Sequence, residues 1–230
     1  MTVMLRHGLG EDRLADPVLA AVQRRVLACR RCPRLTRYLD EAKVRWPDHR
    51  CRPVPAWGDA HPRLLIVGLA PGLHGANRSG RMFTFDSSGQ WLYGMLHEVG
   101  LASRPVSEGP GDGLKLRGVA ITAAARCAPP GNKPLPAELE ACRPYLAAEL
   151  AHLTGAVVVL ALGRIAHEAI LRILDVKPSR MPFAHGAEHR LPDGRILLDS
   201  YHPSRQNTNT GRLTRPMWRA IFRRAKTLMR

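Results

Sequence analysis

Five cysteines stand at positions that suggest a metal site. Cys29 and Cys32 form a C-x2-C pair, 14 residues separate Cys127 from Cys142, and Cys51 is isolated. Two thiolates at C-x2-C spacing can grip one metal, and a second pair brought in by folding completes four ligands. Zinc and an iron-sulfur cluster both accept four cysteines, and spacing alone leaves the choice open. The alternative is that Cys127 and Cys142 are small buried hydrophobic residues.

A long glycine-rich segment is a second place where chemistry could occur. GLAPGLHGANRSGRMFTFDSSG (68–89) follows an apolar run, and its glycines let the backbone approach a ligand closely. It contains neither G-x-x-x-x-G-K-[ST] nor G-x-G-x-x-G, so nucleotide-cofactor motifs are not supported. Phe83 could stack on a flat ligand, and Asp86 offers a carboxylate; the alternatives are a core position for Phe83 and a helix N-cap for Asp86. The candidate pocket residues are Gly68, Ala70, Pro71, Gly72 and Phe83.

A third candidate segment, YHPSRQNTNTGRLTRP (201–216), places His202 directly after an apolar strand. A lone histidine is more often structural than catalytic. A histidine at the carboxyl end of a strand, beside a basic polar loop, favours a functional role. Arg205, Asn207 and Arg212 in this segment are donors suited to phosphates.

The charge of the chain points to nucleic acid. Its 230 residues carry 35 Lys and Arg against 19 Asp and Glu, a net charge of +16. Such a charge favours binding to nucleic-acid phosphates whatever the base sequence, although codon bias alone could also produce it. With 45% hydrophobic residues the chain is expected to fold. Its longest apolar run, 156–162, is far too short for a bilayer span, so we expect no membrane association and a cytoplasmic, nucleoid-associated protein.

Apolar periodicity predicts the elements that position these segments. We predict strands at 64–69, 118–124, 156–162 and 195–200 and helices at 14–29, 88–100, 135–153, 164–174 and 214–229. Strands that alternate with helices and read as continuous apolar runs favour a parallel sheet covered on both faces, in a single domain of residues 1–230. Ligands of such sheets bind beyond the carboxyl ends of the strands, where the candidate segments fall.

Three motifs together resemble the uracil-DNA glycosylase superfamily, and specifically its iron-sulfur family 5. They are GLAPGLHGANRSGRMFTFDSSGQWLY, RCAPPGNKPLPAELEACRPYL and YHPSRQNTNTGRLT, joined by the Cys29/Cys32 pair. The resemblance implies a three-layer α/β/α fold with a central four-stranded parallel sheet. It also implies a 4Fe-4S cluster held by Cys29, Cys32, Cys127 and Cys142, with Cys51 outside. We therefore expect a monomeric, monofunctional glycosylase acting in base excision repair on DNA that contains deaminated bases.

The resemblance also assigns roles to individual residues. His202 would donate a hydrogen bond to the oxygen of the leaving uracil. Ala70 occupies a position where other branches carry Asp, Asn or Glu, so Asp86 becomes the candidate for the missing carboxylate. Ala123 stands where the neighbouring iron-sulfur family has a base-reading Asn, and Asn132 is the nearest replacement. Without an amide that hydrogen-bonds specifically to the uracil edge, the site should discriminate less strictly between bases. Activity on hypoxanthine or modified pyrimidines is therefore expected besides uracil.

Two other functions fit part of the sequence. A non-catalytic, metal-stapled DNA-binding protein would account for the charge and the cysteines but would leave the Phe83, Asp86 and His202 loops unexplained. An enzyme acting on free nucleosides would account for the loops, but the basic C-terminal segment favours a polymer substrate.

Overall fold

The computed structural model describes residues 17–230, which form a central sheet covered by helices on both faces. The helices are α1 (Pro17–Leu27), α2 (Pro33–Arg45), α3 (Ala76–Ser79), α4 (Ser87–Glu98), α5 (Pro136–His152), α6 (Arg164–Ile173), α7 (Arg205–Asn209) and α8 (Arg215–Leu228). The strands are β1 (Trp57–Gly58), β2 (Leu64–Gly68), β3 (Val119–Ala123), β4 (Val158–Leu162), β5 (Glu188–Arg190) and β6 (Ile196–Ser200).

The sheet has the order β1-β3-β2-β4-β6-β5. The four inner strands are parallel, as predicted, but the prediction of a four-stranded sheet is wrong because β1 and β5 add antiparallel edges. These edges have only two and three residues, and β5 is not buried, so neither has the continuous apolar run that marks the inner strands. Backbone pairing to β3 and β6 is what makes them strands.

Two apolar layers enclose the inner strands, all of which are buried on both faces except at Ile196. On one face, α4 and α8 pack against the sheet through a core that includes Tyr93, Trp218 and Phe222. On the other face, α1, α5 and α6 pack through a core that includes Leu146 and Ile170. The three-layer α/β/α architecture expected from the sequence is therefore confirmed.

Helix α2 has no counterpart among the predicted elements. Pro33 starts it, and Leu35, Leu39 and Ala42 form its buried face. Only these three positions are buried in 13 residues that are otherwise largely charged or polar, so the apolar signal was sparse. The predicted helix 14–29 corresponds to α1, with residues 14–16 outside the described part of the chain. No helix within residues 17–230 is both long and apolar enough to cross a bilayer.

The inner strands end at one edge of the sheet, as parallel strands must. The segments that follow β2 and β3 are tied together there, because Gly68 and Leu69 accept backbone hydrogen bonds from Ala124 and Ala125, both at 2.9 Å. Gly163 follows β4 and donates to the carbonyl oxygen of Ser200, the last residue of β6. This edge therefore gathers all three segments singled out in the sequence.

Candidate active site

Phe83 lies on the inside of the glycine-rich segment, packed against the end of β2. A Cβ atom on Gly68 would lie 3.0 Å from Cζ of Phe83, so glycine is what lets the ring lie against this strand. The ring is buried, and Phe83 has a positive φ of 58°. Phe83 is thus a core residue, as one interpretation of the sequence allowed, and it also reaches the ligand edge of the sheet.

The imidazole of His202 faces the Phe83 ring. Their centroids are 6.1 Å apart and the ring planes differ by 25°. The carbonyl oxygen of His202 accepts a hydrogen bond of 2.8 Å from Nδ2 of Asn207. Burial lowers the pKa of His202 to about 4, so the ring is neutral near pH 7 and offers one N–H donor and one acceptor.

Asp86 is the N-cap of α4, where its Oδ1 accepts a 2.7 Å hydrogen bond from the Gly89 amide. The other oxygen, Oδ2, faces the glycine-rich loop: a Cβ on Gly75 would lie 2.5 Å from it, and one on Gly72 3.8 Å. Burial raises the pKa of Asp86, partly offset by hydrogen bonds from the amides of Gly89 and Ser88 and by the Arg205 charge. The capping role inferred from the sequence is confirmed, and one carboxylate oxygen is not used by the cap.

The remaining predicted site residues lie around this centre. Ala70 is half-buried and Pro71 is buried, both in the segment that follows β2. Arg205 begins α7 and is exposed. The Arg212 guanidinium lies over the ring of Tyr201, 4.7 Å from its centroid.

Asn132 belongs to a different loop and takes no part in these contacts. It ends the short turn Pro130–Asn132, is exposed and has a φ of 57°. Ala123, at the end of β3, is buried beside Gly68 in the sheet. The structure thus brings Phe83, Asp86 and His202 to one edge and leaves Asn132 at the surface.

A buried arginine holds the glycine-rich segment in place and was not recognised in the sequence. Nη1 of Arg81 donates to both carboxylate oxygens of Asp112 at 2.8 Å and to Oγ of Ser107 at 3.1 Å. The hydroxyl of Tyr93 donates to the Met82 carbonyl oxygen. The polar composition of the segment 103–115 carries no signal that Asp112 serves as a partner for a buried cation.

A second group of contacts supports the segment that carries His202. His185 accepts a 3.1 Å hydrogen bond from the Tyr201 amide through Nδ1 and stacks on the Tyr201 ring, centroid to centroid 5.0 Å. Behind it, His167 of α6 contacts Asp199 of β6 through Nδ1 at 2.8 Å and the Met181 carbonyl oxygen through Nε2 at 2.8 Å. These histidines stand outside any motif, so nothing in the sequence pointed to them.

Four cysteines converge between the first two helices and α5. Cys29 follows α1, Cys32 is the N-cap of α2, Cys127 follows β3, and Cys142 lies inside α5. Burial and then the negative charge of Cys142 raise the pKa of Cys32 to about 11. Burial, followed by the charges of the other three thiols, likewise raises the pKa of Cys127. The ionised form of one thiol would disfavour ionisation of the next, so these cysteines lie close to one another.

The spacing of the four thiols bears on the group they could hold. Within residues 17–230, one group of three or more His, Cys, Asp or Glu side chains has all its ligand atoms within 4.8 Å of one another. It consists of His167, His189 and Asp199 and contains no cysteine. Sulfur ligands of one tetrahedral zinc ion lie about 3.8 Å apart. The thiols are therefore spaced more widely than a single zinc ion needs, and the donor set fits a larger thiolate-bound cluster.

Cys51 differs from these four in the groups that act on its thiol. Burial raises its pKa, and the groups that oppose the shift are Asn77 and Lys43 rather than the other cysteines. A cavity of about 250 Å³ lies beside the four-cysteine site, with Cys29, Cys51 and Cys127 in its wall. Cys51 thus borders the same cavity as two of the candidate ligands, and its exclusion from the ligand set stays a prediction.

Comparison with known proteins gives the same family as the motifs. A model of the "Uracil DNA glycosylase superfamily" matches residues 55–226. A "Type-5 uracil-DNA glycosylase" of Thermus thermophilus is 53% identical over 206 residues, covering 87% of this chain and 94% of the relative. One of Mycobacterium leprae is 48% identical over 88% of this chain and 92% of its own. A "Type-4 uracil-DNA glycosylase" of Archaeoglobus fulgidus is 29% identical over 68% and 65%. Taken with the fold and the facing Phe83 and His202 rings, these matches place the chain in the uracil-DNA glycosylase superfamily, within its type-5 branch.

Proposed function

We propose that the protein is a monofunctional uracil-DNA glycosylase of base excision repair. The observation that carries this is the pairing of the Phe83 ring with a neutral, half-buried His202 at the carboxyl edge of the sheet. An extruded base needs an apolar wall on which to stack and a hydrogen-bond donor at its edge. Phe83 supplies the wall and His202 the donor.

Hydrolysis of the N-glycosidic bond leaves an anionic base and a cationic sugar in the transition state. His202 stabilises the anion with a hydrogen bond to the base oxygen, which a neutral imidazole can donate through its one N–H without first being protonated. Its segment is held by Asn207 and by the contacts of His185 with Tyr201. This support keeps the donor in place while charge develops.

Asp86 supplies the second element of the reaction. Oδ1 is engaged by the Gly89 amide, which fixes the side chain, and Oδ2 is directed at the glycine-rich loop. A carboxylate held in this way positions water or opposes the sugar cation. The Arg205 charge favours its ionised form against the effect of burial.

The base specificity is proposed to extend beyond uracil to hypoxanthine and modified pyrimidines. Ala123 ends β3 with a methyl side chain, so this position offers no amide to the base edge. A site rejects a wrong base when its buried polar groups would be left unpaired. Asn132, the amide on the neighbouring loop, is exposed and so would impose little such penalty.

The four-cysteine site is proposed to hold a 4Fe-4S cluster. Cys29, Cys32, Cys127 and Cys142 would be its ligands, and their wide spacing supports this group over a single zinc ion. A bound cluster would cross-link α1, α2, α5 and the segment after β3. Cys127 and Cys142 flank the Pro130–Asn132 turn, so the cluster would also hold that turn in place.

Deaminated DNA is the proposed partner, bound by a monomer in the cytoplasm at the nucleoid. The net charge of +16 supports binding to phosphates, with Arg205, Asn207 and Arg212 beside the proposed slot. A non-catalytic DNA-binding module would have no need for a neutral histidine facing a buried aromatic ring. The catalytic proposal accounts for both the charge and the slot.

Glycosylase assays of Asp86→Asn and His202→Ala test this function on duplexes that carry uracil or hypoxanthine. We expect release of both bases by the wild type and a fall of at least about 100-fold in each variant. Asp40→Asn is the matched control, because Asp40 forms an exposed ion pair with Arg30. Unchanged rates in both site variants would contradict the site, and release of uracil alone would contradict the broader specificity.

A further inference from the structure

Apolar side chains are exposed at the edge where DNA would bind. Six large apolar residues are exposed within residues 17–230, and three follow the carboxyl ends of inner strands. Phe85 follows β2, Leu135 follows β3, and Ile165 follows β4; their exposed fractions are 47%, 48% and 39%. Exposed apolar side chains on a basic protein, in segments that follow the strand ends, are candidates for a contact with a partner.

Phe85 is the residue among them that the fold does not explain. Phe83 and Thr84 turn inward and are buried, and the chain then sends the Phe85 ring outward. Phe85 has a φ of 64°, in the left-handed region that favours glycine. A phenylalanine here strains the backbone and leaves about half of the side chain in solvent, so packing alone does not account for the aromatic ring.

The surroundings of Phe85 favour nucleic acid as its partner. The Arg78 guanidinium lies over the Phe85 ring, 4.9 Å from its centroid, and Arg78 is exposed on α3. An aromatic ring beside an arginine is the pairing with which proteins bind bases and phosphates together. The next residue is Asp86, and Phe83 is two positions away, so the Cα atoms of Phe83 and Phe85 are within about 8 Å of each other.

We propose that Phe85 stacks on a base next to the extruded nucleotide, while Arg78 contacts the adjoining phosphate. This rests on the proposed glycosylase function, since extrusion of a base exposes the faces of its neighbours. Phe83 would hold the extruded base inside the slot, and Phe85 would cover the neighbouring base outside it. The buried ring of Phe83 and the exposed ring of Phe85, two residues apart, match these two base positions.

Four proteins test the proposal: the wild type and the variants Phe85→Trp, Phe85→Leu and Phe85→Gly. The probe is a duplex that contains a tetrahydrofuran abasic-site analogue, titrated at fixed salt. We expect an affinity order of Trp at least equal to Phe, then Leu, then Gly, with a loss of about tenfold or more from Phe to Gly. Thermal midpoints should not follow this order, because leucine keeps the apolar volume and glycine suits the positive φ.

Tryptophan fluorescence gives a second readout of the same variants. Phe85→Trp should show quenching on binding the duplex beyond that of the wild type, because the new indole would stack on a base. Val18→Ala, which alters another exposed apolar residue on α1, should bind like the wild type. Equal affinities for phenylalanine and leucine at position 85, or no added quenching, would overturn the proposal.

The assay also separates this proposal from the proposed function. Uracil release by the wild type is measured in parallel and tests the glycosylase activity by itself. If the wild type releases uracil and the affinity order fails, only the role of Phe85 is wrong. If the order and the quenching hold and no base is released, stacking on DNA stands and the glycosylase assignment fails.

Discussion

The side chains of Phe83 and His202 lie face to face, 6.1 Å apart, although they come from the segments that follow β2 and β6. Gly163, from the segment after the intervening β4, lies against His202, since a Cβ there would be at an ordinary contact distance of 3.5 Å from Cβ of His202. The wall and the donor of the proposed slot therefore depend on the order of strands in the sheet.

Burial of His202 should make stability depend on pH. Its folded pKa of about 4 is below the ordinary value of 6.5, so the unfolded chain takes up the proton first as the pH falls. The free energy of unfolding should therefore decrease from about pH 6.5 down to about pH 4, by up to about 1.4 kcal/mol per pH unit from this group. Urea unfolding across this range measures it. His202→Gln should reduce the dependence of the free energy of unfolding on pH. A part should remain, because burial also lowers the pKa values of His49 and His185. An identical pH dependence in the variant and the wild type would contradict the prediction.

Gly75 and Gly72 should respond differently to the same substitution. The methyl group of Gly75→Ala would lie 2.5 Å from Oδ2 of Asp86, whereas that of Gly72→Ala would lie at an ordinary 3.8 Å. We expect Gly75→Ala to lower the free energy of unfolding by about 1–3 kcal/mol. Gly72→Ala is the matched control and should change it by less than about 0.5 kcal/mol. Similar losses in the two variants would show that Asp86 does not occupy this position.

The cap and the charge of Asp86 can be separated. Asparagine is as good an N-cap as aspartate, so Asp86→Asn should keep stability within about 0.5 kcal/mol, whereas Asp86→Ala should lose about 1 kcal/mol. Both variants lack the carboxylate, and both should lose glycosylase activity to a similar degree. Chemical denaturation and base-release assays on the same samples measure the two effects. Full activity in Asp86→Asn would assign Asp86 to capping alone.

A buried ion pair next to the four-cysteine site should be sensitive to the loss of one partner. Nη2 of Arg126 and the hydroxyl of Thr122 both donate to Oε2 of Glu149, at 2.5 and 2.7 Å. Glu149→Gln should cost about 3–5 kcal/mol, because it leaves a buried cation unpaired. Arg126→Met combined with Glu149→Gln should recover part of that loss. Breaking the exposed Arg30–Asp40 pair with Asp40→Asn should cost at most about 1 kcal/mol.

The proposed cluster predicts different outcomes for two cysteines. Cys127→Ser should lower the iron and sulfide content of the purified protein and its thermal midpoint, because it removes a ligand. Cys51→Ser should retain iron and sulfide, since Cys51 lies outside the four-thiol group. Elemental analysis and visible absorbance distinguish the two results. Equal loss in both variants, or zinc in place of iron, would contradict the ligand assignment.

Several features could be predicted from the sequence because their signals are local. The inner strands are buried on both faces, so their continuous apolar runs were visible without a structure. Asp86 was recognised as an N-cap because capping involves only the following turn. Helix α2 and the edge strands were missed, since α2 has a sparse apolar face and two or three paired residues leave no pattern.

The sequence by itself determined the residue types of the site and the edge of the sheet at which they would meet. Only the tertiary structure decided which of them touch. It set Phe83 against His202, directed Oδ2 of Asp86 at Gly75, used the amide of Asn207 to hold His202, and left Asn132 exposed. The reason is that these contacts, and the burial that lowers the pKa of His202, arise between segments that only the packed sheet brings together.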